Sequence, residues 1–175
     1  MYQYLLVALA IAAAPTVAPI QQSAPAAKPA PSTQKPAAGT AKPAADAKGV
    51  RTVEVVGTED MKFSLATITA KPGEQLRVRL TVKGAMPKIA MAHNFVLLTK
   101  KAVVTDFVTA AMNARATDFI PADKKADVVA HTGLAGAGET VEVTFKVPAA
   151  AGDYTYLCSF PGHFQAGMKG TLTVK

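Results

Sequence analysis

Gln75-Leu76-Arg77-Val78-Arg79-Leu80-Thr81-Val82 alternates apolar and polar side chains without a break, and Lys71-Pro72-Gly73-Glu74 ahead of it is a turn. A period of two sends every second side chain to one face of a pleated strand, so Leu76, Val78, Leu80 and Val82 face a core while the arginines face water. Thr140-Val141-Glu142-Val143-Thr144-Phe145-Lys146-Val147 repeats the pattern, as do Arg51–Val56 and Phe63–Thr69. His93–Leu98, Asp153–Cys158 and Gly170–Val174 are further strand candidates. Seven or eight short strands with turn signals between them predict an all-β, Greek-key β-sandwich. An Ala-rich stretch breaks the alternation and predicts a short helical insertion around 102–117.

The last two strand candidates are joined by Cys158-Ser159-Phe160-Pro161-Gly162-His163-Phe164-Gln165-Ala166-Gly167-Met168. This loop carries a thiol, an imidazole and a thioether, with Pro161-Gly162 turning it back on itself. A second imidazole, His93, stands far upstream in Met91-Ala92-His93-Asn94-Phe95. Two His, one Cys and a weak axial Met are the donor set of a blue-copper electron-transfer site, because thiolate and imidazole suit both oxidation states of copper.

Composition narrows the alternatives. The chain has 175 residues and a net charge of +7 spread without a dense basic block, so nucleic acid is not expected as a partner. One cysteine excludes an internal disulfide, a dithiol exchange site and a two-cysteine binuclear copper centre. Three histidines are too few for the second copper centre of an oxidase or nitrite reductase, so no enzymatic turnover is expected. The remaining rival is a periplasmic copper storage or delivery protein that uses the same four residues without fast electron transfer.

Residues 1–14 contain an apolar run of signal-peptide length, lacking the usual basic n-region, and are expected to act as an export signal or an anchor. Residues 15–49 are rich in Ala, Pro and Lys and are expected to form a disordered tether. Residues 50–175 form the folded domain. The expected location is the periplasm, with membrane attachment only if the N-terminal segment is retained.

The domain resembles the azurin branch of the cupredoxins, bacterial blue-copper proteins. The resemblance rests on Asp60-Met61-Lys62-Phe63, Met91-Ala92-His93-Asn94-Phe95, Asp118-Phe119-Ile120-Pro121, Val129-Ala130-His131-Thr132 and Cys158-Ser159-Phe160-Pro161-Gly162-His163 through Met168-Lys169-Gly170-Thr171. It implies a cupredoxin-like sandwich holding one type 1 copper. His93, Cys158 and His163 would be equatorial ligands and Met168 the axial one, with the Ala92 carbonyl opposite it. Asn94, Ser159 and Phe160 would brace the copper loops. His131 matches a surface histidine that is not a ligand. The resemblance further implies weak, transient docking of redox proteins, such as c-type cytochromes or copper or haem reductases, on an apolar collar around the exposed edge of His163. Met61, Met91, Pro161 and Phe164 are its candidate members, with Met86 and Phe160 beside them. The chain departs from azurins in a His163–Met168 loop one residue longer, closer to plastocyanin and auracyanin loops. It also lacks their disulfide, has Phe95 in place of a core Trp, and has Ala92 where they have Gly.

Overall fold

A computed structural model describes residues 49–175; the expected signal and tether lie outside the described residues. The strands are β1 (Arg51–Thr58), β2 (Lys62–Phe63), β3 (Thr67–Ala70), β4 (Gln75–Lys83), β5 (Val96–Leu98), β6 (Val128–His131), β7 (Thr140–Lys146), β8 (Gly152–Leu157) and β9 (Lys169–Val174), with one helix, α1 (Val104–Ala111). They form a four-stranded sheet ordered β2-β1-β4-β7 and a five-stranded sheet ordered β3-β9-β8-β5-β6. The β1–β4 and β3–β9 pairs are parallel and the rest antiparallel. This is the expected sandwich.

The alternating runs bury the side chains their period assigns inward. Leu76, Val78, Leu80 and Val82 of β4 are all buried. Leu76, Val78 and Leu80 meet Val53 and Val55 on their own sheet, Ile68, Leu97, Tyr156 and Leu172 from the other, and Phe95 just ahead of β5. Burying one such aliphatic side chain is worth about 1.5–3 kcal/mol, so this interleaf is the main source of stability. On the outer face Arg79 sits between Glu54 (3.2 Å) and Glu142 (3.6 Å), both exposed. Such pairs contribute about 0–1 kcal/mol.

Three departures from the sequence expectation position the site. The Phe63–Thr69 run is two strands in different sheets, β2 and β3. Ser64 makes the corner, with its N–H donating to Val56 O (2.8 Å) and its hydroxyl accepting from Val56 N (2.9 Å). Alternation continues through a corner in which the chain changes sheets, so period alone does not mark it. His93–Leu98 is strand only from Val96; His93 makes an isolated antiparallel bridge to Ala135. Val128–His131, too short to stand out by period, forms the edge strand β6. The helical insertion is α1 followed by a 3-10 turn at Arg115–Thr117. Phe107 and Val108 of α1 cover Val96, Leu98 and Leu157 on the outer face of the second sheet, so three consecutive β5 residues are buried.

Candidate metal centre

β8 ends at Leu157, and the next residue, Cys158, still donates its N–H to Met168 O (3.1 Å), so Cys158 and Met168 face each other across the neck of the loop. Inside the loop His163 N donates to Phe160 O (3.1 Å) and Met168 N to His163 O (2.9 Å). Gly162 (φ 85°) and Gly167 (φ 95°) take the left-handed conformations that fold the loop inward, which side chains with a Cβ rarely adopt. His93 arrives from the other side, held by reciprocal backbone bonds with Ala135 (2.9 and 2.8 Å).

The structure thereby brings three donor atoms together at one end of the sandwich. His93 Nδ1 and His163 Nδ1 are 3.1 Å apart, and Cys158 Sγ lies 3.5 Å from the second and 4.0 Å from the first. The circle through three atoms at those separations has a radius of about 2.1 Å, close to the bonds of about 2.0–2.1 Å (nitrogen) and about 2.3 Å (thiolate) to a borderline d-block ion. The triangle is acute, so its centre lies between the donors. Two imidazole lone pairs pointed at each other repel unless a proton or a cation lies between them. The donor set and its spacing therefore fit a soft-to-borderline transition metal.

Met168 is fully buried, and a methyl group placed on Gly57 would lie 3.2 Å from Met168 Cε and 3.1 Å from His93 Cδ2. The thioether arm thus packs beside the His93 ring. The Ala92 carbonyl oxygen is 4.0 Å from Cys158 Sγ. Ala92 does not have positive φ, so the conformation at this position does not require glycine.

Burial sets the electrostatics. Lacking solvent, the Cys158 thiol is pushed up to about 12, against the opposing pull of the Asn94 and Phe160 backbone N–H groups, which favour the thiolate. His163 is pushed down to about 4, first by burial and then by the charge of His93. His93 is lowered by burial, while the Thr58 backbone carbonyl and the Glu59 charge favour a proton on its ring. His93 Nε2 itself is buried without a hydrogen bond of good geometry. At neutral pH both rings are unprotonated and free to bind metal, and metal binding must displace the thiol proton.

Asn94 ties the two loops together. Its Nδ2 donates to Ser159 Oγ (2.9 Å) and Asp118 O (3.0 Å), and its Oδ1 accepts from Ser159 N (2.9 Å). The Phe160 ring lies 4.7 Å from the His163 ring and edge-on to Phe119 at 5.1 Å.

A family model for copper-binding proteins of the plastocyanin/azurin family matches residues 50–175. The chain belongs to the plastocyanin/azurin family. It is 42% identical over 130 residues to an azurin of Pseudomonas denitrificans, covering 71% of this chain and 98% of the relative. It is 43% identical over 124 residues to azurin-1 of Alcaligenes xylosoxydans xylosoxydans, covering 69% and 95%. Among solved structures, auracyanin A, a blue copper protein of Chloroflexus aurantiacus, superposes with a TM-score of 0.64 at 34% identity, covering 73% of this chain and all of that one. An azurin of Methylomonas sp. strain J gives 0.63 at 36%, covering 71% and 97%. In this plastocyanin/azurin domain, His93, Cys158, His163 and Met168 cluster as a single copper site.

One expectation about the surface is corrected. The His163 edge is not exposed: only 2% of the residue is accessible, because turns at 161–167 and the Phe160 ring enclose it. Met61, Met91, Pro161 and Phe164 are half-buried, and Met86 is 41% exposed. A shallow groove of about 600 Å³ runs past Phe160 and Pro161, flanked by Lys88, Ile89, Met112 and Arg115. His131 is exposed and its Nδ1 lies 3.1 Å from Thr132 O, away from the donor triangle.

Sequence reasoning missed Gly57, Thr58 and Glu59. A glycine near the end of a strand rich in Val and Thr was the available signal, since it marks close approach by another group; here that group is the His93 ring with the Met168 methyl.

Proposed function

We propose that this chain is a mononuclear blue-copper electron carrier of the periplasm, in which His93, Cys158 and His163 would hold the metal, Met168 would add a weak thioether bond and the Ala92 carbonyl would face the site. Bound copper supplies a one-electron Cu(I)/Cu(II) couple. The protein's share is to hold the donors still while the charge changes. Asn94 and Ser159 lock the loop carrying Cys158 to the loop carrying His93. The Asn94 and Phe160 N–H groups withdraw electron density from the sulfur. Buried apolar neighbours keep water away from it.

The observation that carries this reading is the triangle of donor atoms around a point about 2.1 Å from each. Burial of all four residues to 2% exposure or less supports retention of the metal over exchange, and so favours electron transfer over storage or delivery. The chain passes electrons between partner proteins and transforms no substrate. Redox proteins, with c-type cytochromes and copper or haem reductases as candidates, dock briefly on the apolar surface formed by Met61, Met91, Pro161 and Phe164. Adding Cu(II) to the metal-free protein tests the reading. An intense visible thiolate-to-copper absorption should appear with one equivalent and be absent in Cys158→Ser. A colourless copper-loaded protein refutes it, with the zinc-loaded form as the colourless control.

A further inference from the structure

His93 is delivered to the site by residues 84–92, a segment between β4 and β5 that contains no strand or helix. It is largely solvent-exposed, with Met86 41% and Ile89 74% accessible, so it is not held by a core of its own. Something else must fix it. Glu59, one residue beyond β1, has one carboxylate oxygen accepting two consecutive backbone N–H groups of that segment, Ala85 (2.6 Å) and Met86 (2.7 Å). The segment passes directly over this carboxylate. A Cβ on Gly84 would lie 2.5 Å from the same oxygen and 2.6 Å from Cδ and Cγ, so with any other residue here the Glu59 side chain would have to shift. Further along, Pro87 O accepts from Ala90 and Met91, and Lys88 is neutralised by Glu139 (2.7 Å).

We propose that Glu59 is a positioning residue of the copper site: its carboxylate clasps the 84–91 segment that carries His93, and its fixed negative charge on that flank favours the oxidised metal. Resting on the copper reading above, this extends it to a residue that touches no ligand by hydrogen bond. Glu59 follows Thr58, whose carbonyl lies beside the His93 ring, so clasp and ring share one turn of chain. Two N–H donors on one oxygen keep the carboxylate ionised. The Glu59 charge acts on the His93 ring, favouring positive charge there. Oxidation adds one positive charge to the site, so an anion on this side lowers the reduction potential by simple Coulomb attraction.

Two substitutions separate clasp from charge. Glu59→Gln keeps an oxygen for the two N–H groups and removes the charge; Glu59→Ala removes both. The full chain is measured in two ways: the midpoint potential of the copper-loaded protein by equilibrium redox titration, and amide hydrogen exchange at Ala85 and Met86 in the metal-free protein. Glu59→Gln should raise the midpoint and leave exchange at both amides close to wild type. Glu59→Ala should raise the midpoint and speed exchange at both amides by about tenfold or more, the loss of one hydrogen bond of ordinary strength. An unchanged midpoint in Glu59→Gln, alongside a blue wild-type protein, overturns the charge role, which a purely structural carboxylate would not have. Unchanged exchange in Glu59→Ala overturns the clasp. A wild-type chain that binds copper without colour overturns the copper reading and the charge role with it, while the exchange rates still decide the clasp.

Discussion

Replacing Asn94 with alanine removes its hydrogen bonds to Ser159 across the seam between the two copper loops and its bond to Asp118 on a third segment, and the cost follows from what each partner loses. Ser159 N–H is buried at the site and has Asn94 Oδ1 as its acceptor, so it is left without a partner. An unsatisfied buried donor costs about 1–3 kcal/mol. The Asp118 carbonyl belongs to an exposed residue, where water can take over, so that loss is small. The Ser159 hydroxyl can rotate to a new partner. Truncating a fully buried side chain leaves a small cavity, raising the total to about 2–4 kcal/mol. Ser159→Ala is the control. It deletes only the hydroxyl and keeps the Ser159 N–H bond to Asn94, so it should cost about 1 kcal/mol. The N–H that Asn94 points at the sulfur belongs to the backbone and survives in alanine, so the copper-loaded variant should remain blue. Urea unfolding of the metal-free proteins at fixed pH reads both costs as shifts in midpoint at constant slope. If Asn94→Ala is no less stable than Ser159→Ala, the seam is not held by these bonds and the reasoning is wrong.

Met168→Gln should lower the reduction potential while keeping the colour, since an axial amide oxygen favours Cu(II) more than a thioether does; an unchanged potential in the redox titration means Met168 does not face the metal. Gly57→Ala puts a methyl 3.1–3.3 Å from the His93 ring and the Met168 methyl, so it should destabilise the fold by about 1–3 kcal/mol and shift the visible band. An unperturbed spectrum with unperturbed unfolding would show that the pocket yields freely. The metal-free protein should lose stability as pH falls from about 6.5 to about 4. Across that window the His163 imidazole of the unfolded chain takes up a proton and the buried folded one does not, so the unfolded state binds more protons and gains. Denaturant midpoints at pH about 7 and about 4.5 check the sign, and a midpoint that rises on acidification contradicts the burial argument.

The strands that were legible in the sequence are those with one face on the core and one in water. β4 and β7 alternate strictly because Leu76, Val78 and Phe145 point inward between polar neighbours. β5 gave no such pattern, since α1 covers its outer face and all three residues are buried. The donor residues were legible because thiol, imidazole and thioether are rare types with few other uses in a short loop, and their convergence needed only a sandwich to bring β8 and the approach to β5 side by side. The Gly57–Glu59 corner was not legible. Gly57 was its one visible mark, and a glycine in a strand says only that something approaches closely, not what; the Thr58 carbonyl and the Glu59 carboxylate act through position at the end of a strand, which has no residue-type signature. The closed His163 edge was equally hidden, because it depends on how turns 161–167 pack rather than on which residues they contain.

The side-by-side pairing of β3 with β9 has a bearing on biogenesis. It joins Thr67–Ala70 to Thr171–Val174, close to opposite ends of the described chain. Contacts so remote in sequence form late and slowly, because a large loop must close before they repay its entropy. Nearly the whole domain must therefore be synthesised before the sandwich can seal. Deleting the final strand alone should abolish uptake of the ion, although every donor is still present in the shortened polypeptide.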